Sequence, residues 1–194
     1  MTILLVSPTW LGDAVMALPA AAAICRAATT KRVVVAARPG VAQLWELVAG
    51  VDDVVPLPKA TGTQRWAGMR RGAAAIRAVG ADAAVLLPNS FQSALTARLA
   101  GIPERGGYRR SFRGPLLTRA VRAPQGRLHQ VDYYRHLVAA LGFAADDRVP
   151  RLDVPEAAVA GARNLLAAAG WAPGAPLLGI APGAAYGGAK RWPP

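Results

Sequence analysis

Ile3-Leu-Leu-Val-Ser-Pro-Thr-Trp-Leu-Gly-Asp13 decides the fold. It opens with a short apolar run closed by Ser7, the pattern of a strand buried on both faces. Ser7 to Gly12 holds a proline and a glycine and reads as a loop. Asp13 then begins an alanine-rich stretch to Ala28 that reads as a helix, with Pro19 expected to kink it or mark a restart. Strand, short loop and helix in that order begin a βαβ unit.

The same alternation continues downstream. Lys31-Arg-Val-Val-Val-Ala-Ala37, Asp53-Val-Val-Pro-Leu57 and Ala83-Ala-Val-Leu-Leu87 read as strands. Residues 40–48, 64–79 and 90–100 read as the helices between and after them. Continuous apolar strands separated by helices indicate a parallel sheet covered on both faces, a doubly wound α/β domain. Ligands of such sheets bind beyond the carboxyl ends of the strands, here at the Ser7–Asp13 and Pro88-Asn-Ser90 loops.

From Gly101 to Gly126 the pattern dissolves into a stretch rich in glycine, proline and arginine, expected to be an irregular loop. Residues 131–141 return to a helical pattern. The prolines and aspartates of 142–155 read as a linker. The expected organisation is a first domain over 1–145, a linker over 146–155 and the beginning of a second domain over 156–194. Pro155 suits the first turn of a helix running to about Ala169. Pro176-Leu-Leu-Gly-Ile-Ala181 reads as a strand, followed by a glycine-rich loop from Pro182 to Trp192. A strand and glycine loop with nothing to pack on are half a motif, so this second domain is expected to be incomplete.

The chain has 194 residues, 53% hydrophobic and 18% charged, enough to bury a core and unlike a disordered chain. Its net charge is +12. Thirteen arginines against three acids lie between Arg65 and Arg135, a field that attracts anions. The single cysteine, Cys25, excludes a disulfide framework and a cysteine metal site. No positive leader precedes the first apolar run, and Pro8, Gly12 and Asp13 interrupt it, unlike a signal peptide. No uncharged apolar stretch approaches the ~20 residues of a membrane span.

Four places carry candidate chemistry. Asp13, at a helix start beyond a strand's carboxyl end, can take a proton from a substrate hydroxyl or can simply cap the helix. Gly12 before it allows a tight turn and close approach of a ligand. The Gly183–Arg191 loop nearly matches a P-loop, but Ala189 precedes Lys190, and Arg191 stands where a magnesium-binding hydroxyl belongs. It reads either as a diphosphate cradle or as a surface turn. Asn89 and Ser90 can cap a helix and face the cleft. The Arg105–Arg113 cluster, with Tyr108 and Phe112, suits an anionic sugar, a nucleic acid or plain solvent. His129 and His136, seven residues apart, lack metal-ligand spacing, and no metal is expected.

Together these stretches resemble the ADP-heptose:lipopolysaccharide heptosyltransferase family (glycosyltransferase family 9), its heptosyltransferase II branch most. The resemblance rests on Ile3 to Asp13, Leu87-Pro-Asn-Ser-Phe-Gln-Ser-Ala-Leu95 and Gly101-Ile-Pro-Glu-Arg105. Gly107-Tyr108, Leu116-Leu-Thr118 and Pro182 to Pro193 complete it. It implies a GT-B architecture with two Rossmann-like domains and an inverting transfer of heptose from ADP-heptose to the Kdo-bearing inner core of lipopolysaccharide. It implies Asp13 as catalytic base and Lys190 at the donor phosphates. The candidate donor contacts are Gly183, Gly187, Gly188, Lys190 and Arg191. The candidate acceptor contacts are Trp10, Gly12, Asn89, Ser90, Arg109 and Arg113.

The resemblance further implies a cytoplasmic enzyme with no cofactor beyond its donor substrate, able to touch the inner membrane peripherally, with no nucleic-acid partner. Family members continue well past the Lys190-Arg-Trp192 motif, so the 194 residues alone are expected to be nearly inactive. Two other readings stay open. One is a non-catalytic anion- or nucleic-acid-binding α/β module. The other is a related transferase using a different sugar donor.

Overall fold

A computed structural model describes residues 1–28, 31–58, 62–145 and 147–183. They fall into two units, 1–153 and 154–194.

The first unit is a six-stranded, fully parallel sheet. Its strands are β1 (Thr2–Val6), β2 (Arg32–Ala37), β3 (Asp53–Pro56), β4 (Ala83–Leu86), β5 (Glu104–Tyr108) and β6 (Arg119–Val121). The helices are α1 (Leu11–Ala27), α2 (Pro39–Glu46), α3 (Arg65–Val79), α4 (Phe91–Leu99) and α5 (Gln130–Ala140). The spatial order β3-β2-β1-β4-β5-β6 is that of a doubly wound, dinucleotide-type sheet. Its direction of winding reverses between β1 and β4, which leaves a crevice at their carboxyl ends.

The two faces follow from the period of two along each strand. Ile3, Leu5, Val33, Val35, Val85 and Leu87 face a core shared with α1, α2 and α5. Leu4, Val6, Val34, Ala36, Ala84 and Leu86 face a second core under α3 and α4. In α1 the alanines at 14, 17, 20, 21 and 23 are fully buried. Their small side chains let the helix approach both the sheet and α5. Pro19 lies inside α1, which is assigned as one helix from end to end instead of stopping or restarting there.

Two expectations are corrected. The stretch 101–126 is not an irregular loop: it supplies β5 and β6, which extend the sheet beyond β4. Pro176–Ala181 forms no strand. A strand needs a neighbouring backbone to hydrogen-bond to, and the described part of the second unit offers none. Leu177, Leu178 and Ile180 are accordingly exposed. That unit holds α6 (Glu156–Ala168), with Pro155 at its N-cap. Residues 147–153, read above as linker, belong to the first unit, where the Asp153 amide donates to the Leu47 carbonyl at 2.7 Å.

Candidate functional site

The crevice at the winding reversal is flanked by the loop after β1 and the loop after β4. Ser7, Thr9, Pro88, Ser90 and Arg38 line a hollow of about 100 Å³ there, floored by Leu57, Met69 and Ile76. The base of the first loop is locked by a buried aromatic. Trp45 of α2 donates from its indole to Ser7 Oγ at 2.7 Å, and the Ser7 hydroxyl donates to the Pro8 carbonyl at 2.7 Å. Beyond that lock the chain turns outward, and Thr9, Trp10, Leu11 and Gly12 are exposed.

Asp13 is the third residue of α1, in its first turn. The N-cap position belongs to Trp10, and no side chain caps there. The cap reading of Asp13 is therefore not met. Its carboxylate is half-buried and, among the described residues, accepts no hydrogen bond and joins no ion pair. A negative side chain in the first turn of a helix interacts favourably with the helix dipole. Across from it stands Tyr134 of α5. Burial lifts the Tyr134 phenol to about 12; a hydrogen bond with Gln130 works against this, and the Asp13 charge adds to the rise.

Gly12 lies within α1, not in a tight turn. An added Cβ would meet nothing within 4 Å, and its backbone is not left-handed. The fold therefore leaves open the space beside Asp13 that a side chain would fill.

Ser90 is the N-cap of α4, accepting from the Ser93 amide at 3.2 Å, and it also lines the hollow. Asn89 is half-buried, and its amide donates to the Tyr133 hydroxyl at 2.9 Å. Tyr108, at the end of β5, donates its hydroxyl to the Tyr133 carbonyl at 2.6 Å and lies 2.8 Å from His136 Nδ1. Burial pushes the Tyr108 phenol above its ordinary range, and neighbouring Tyr133 adds to this. These side chains clamp the loop after β4 to α5.

Arg113 is the principal correction among the candidate acceptor contacts. Its side chain is fully buried. Nε donates to the Tyr108 carbonyl at 2.8 Å, and the terminal nitrogens reach the carbonyls of Pro88 and Leu86, Ser93 Oγ and Asn89 Oδ1. Such a guanidinium has its donors committed to main chain and neighbours, so it braces the loops instead of meeting a ligand. Burial lowers its pKa to about 10, which keeps it charged at neutral pH. Arg109 is exposed and available.

Of the donor contacts, Gly183 is exposed in the second unit. Gly187, Gly188, Lys190 and Arg191 lie outside the described residues. Among the described residues, no three His, Cys, Asp or Glu side chains gather as a metal site would require.

Sequence reasoning missed Trp45, Tyr133 and the bracing role of Arg113. Only Gly106-Gly107 inside β5 signalled close packing: a Cβ at 107 would lie 2.9 Å from Arg113 Nη2, and one at 106 would lie 2.8 Å from Leu141.

The family model for glycosyltransferase family 9 (heptosyltransferase) matches residues 69–194. The chain belongs to glycosyltransferase family 9. Over its whole length it is 31% identical to lipopolysaccharide heptosyltransferase 2 of Salmonella typhimurium, spanning 57% of that relative. It thus spans little more than half the length of the curated relatives it matches. All of the chain also superposes on 58% of the crystallised ADP-heptose lipopolysaccharide heptosyltransferase II of Escherichia coli, with a TM-score of 0.75 and 27% identity. A family 9 glycosyltransferase structure from Veillonella parvula shares the fold, with a TM-score of 0.79 over 89% of the chain and half of that protein at 18% identity. The six-stranded unit is therefore a GT-B type α/β domain of family 9, and its relatives mark the chain as heptosyltransferase II-like.

Proposed function

We propose that this family 9 protein takes part in inverting transfer of heptose from ADP-heptose to the Kdo-containing inner core of lipopolysaccharide. The first unit would hold the acceptor. The observation that carries the reading is Asp13, a half-buried carboxylate that joins no ion pair among the described residues, on the first turn of α1 just after the loop that flanks the crevice. The similarity to lipopolysaccharide heptosyltransferases 2 and to an ADP-heptose lipopolysaccharide heptosyltransferase II supports the sugar and the lipid.

The chemistry needs little machinery. Inversion is one displacement at the anomeric carbon. Asp13 accepts the proton of the acceptor hydroxyl while its oxygen bonds to the anomeric carbon. The bond from that carbon to the diphosphate oxygen breaks, and the electron pair leaves on ADP. Positive groups and backbone amides must receive that charge. Gly183, Gly187, Gly188, Lys190 and Arg191 are assigned this task, with no metal. Trp10, Gly12, Asn89, Ser90 and Arg109 stand on the acceptor side, and nucleic acid is no partner. The reaction is placed in the cytoplasm, with peripheral contact to the inner membrane where the acceptor lipid is made.

In the complete enzyme, Asp13→Ala and Asp13→Asn should each lower turnover at least ~100-fold, the usual size of a general-base contribution, with unchanged thermal unfolding. Retained turnover with lowered stability would refute the assignment. Residues 1–194 alone should release almost no ADP from ADP-heptose in the presence of acceptor. Brisk release would refute the division of labour between two halves.

A further inference from the structure

We propose that the outer face of α3 and α4 is the surface by which this protein docks on an anionic lipid bilayer. The proposal names the face for the peripheral contact above and rests on that reading only for which membrane is met.

Charge comes first. No Asp or Glu occurs from Val54 to Ala81 or from Ala83 to Pro103, the two segments that contain α3 and α4. Helix α3 buries Gly68, Met69, Gly72, Ala73 and Ile76 and turns Arg65, Trp66, Arg70, Arg71 and Arg77 outward. Arg77 donates to the carbonyls of Leu99 and Ala100, which fixes its charge over the end of α4. Arg98 is exposed on α4.

Exposed apolar groups are interleaved with these charges. Trp66 is 68% exposed, Phe91 47% and Leu99 40%. Two hollows run along the seam between the helices. Trp66, Met69, Phe91 and Leu95 line one of about 350 Å³, with Arg65 at its rim. Arg70, Arg71, Arg77 and Leu99 line the other, of about 490 Å³. Guanidinium forks match phosphate oxygens, and the indole of tryptophan prefers the boundary between headgroups and acyl chains. A bilayer presents both at once. Nucleic acid would engage the arginines and stack on the rings, but would leave Leu95 and Leu99 without a partner. The first hollow also shares Met69 and Gln92 with the hollow at the β1–β4 crevice, so a lipid-borne acceptor at this face lies next to the site.

The test is co-sedimentation of the 194-residue chain with phosphatidylcholine vesicles, with and without phosphatidylglycerol, in the absence of any sugar substrate. Binding is expected only to the anionic vesicles and should weaken with salt. Arg70→Glu with Arg71→Glu should lower the partition coefficient at least ~10-fold, from the usual contribution of each basic residue near a charged membrane. Trp66→Ala with Phe91→Ala should lower it several-fold. The charge-matched control Arg119→Glu with Arg122→Glu, on the edge strand and its loop, should leave it nearly unchanged. Circular dichroism checks that each variant is folded. The proposal is overturned by absent binding, by equal binding to neutral vesicles, by an equal loss in the control, or by a duplex DNA affinity that outcompetes the vesicles. None of these results touches the transfer assay, so the two readings fail separately.

Discussion

Arg113 donates from Nε to the Tyr108 carbonyl at 2.8 Å, and through this contact a buried cation joins the end of β5 to the loop after β4. Among the described residues no carboxylate balances it; its partners are carbonyls, a serine hydroxyl and an amide oxygen. The brace fixes the wall of the crevice that the loop after β4 forms.

Removing the brace leaves buried carbonyls without donors, at about 1–3 kcal/mol for each orphaned group. Arg113→Met should therefore lower folding stability by at least ~2 kcal/mol in urea unfolding. Gly107→Ala should cost about 1–3 kcal/mol, since its methyl would press on Arg113 Nη2 and on Leu86. Both act through one contact, so the double variant should lose clearly less than the sum. Strict additivity would show that Gly107 serves something else.

Gly12 gives a test of the opposite sign. A helical glycine with open space around it should gain from a methyl group, by up to ~1 kcal/mol. Gly12→Ala should raise the melting temperature slightly. In the complete enzyme it should raise KM for the acceptor, because the methyl occupies space beside Asp13. A lower melting temperature would mean that the glycine serves the fold itself.

The parts that were legible in the sequence share one property: their signal is apolar periodicity. Strands β1 to β4 and helices α1 to α5 bury side chains that repeat every two or every three to four residues. β5 lacked that signal because it reads Glu104-Arg-Gly-Gly-Tyr108, with glycines where side chains would mark a buried strand. β6 is three residues at the edge, with two of them exposed. Pro176–Ala181 had the signal but no backbone partner. Arg113 looked like one more solvated arginine because its partners are mostly main-chain carbonyls, which no side-chain pattern records. Asp13 was legible by position; its freedom from capping was not.

Alkaline pH should loosen the first unit. Burial raises the Cys25 thiol from 9.0 to about 11, with the Asp52 charge adding to it, and raises Tyr134 from 10.0 to about 12. A raised value in the folded chain means the unfolded chain ionises first. Their stabilisation is complete below about pH 9 and is lost as pH climbs through 11 and 12. Arg113 works the other way: lowered to about 10, it gives up its proton first when folded, and offsets part of the loss between pH 10 and 12.5. The urea midpoint should fall between about pH 8.5 and pH 11. Over the same range, Cys25 alkylation should remain far slower in the folded chain than in urea. A flat midpoint with fast alkylation would show that these groups are already solvated.

Ser111 and Phe112 sit side by side with φ of 52° and 56°, and Phe112 is 96% exposed. Left-handed backbone costs a residue with a side chain roughly 1–2 kcal/mol. A ring held this far out in water repays none of that cost, so the corner is held by its neighbours: the Arg113 amide donates to the Arg110 carbonyl across it at 3.1 Å, and the Arg113 side chain is anchored in the interior. The direction in which that aromatic points thus depends on a guanidinium sunk in the interior one residue on, and cutting that anchor would loosen the corner like a slipped latch.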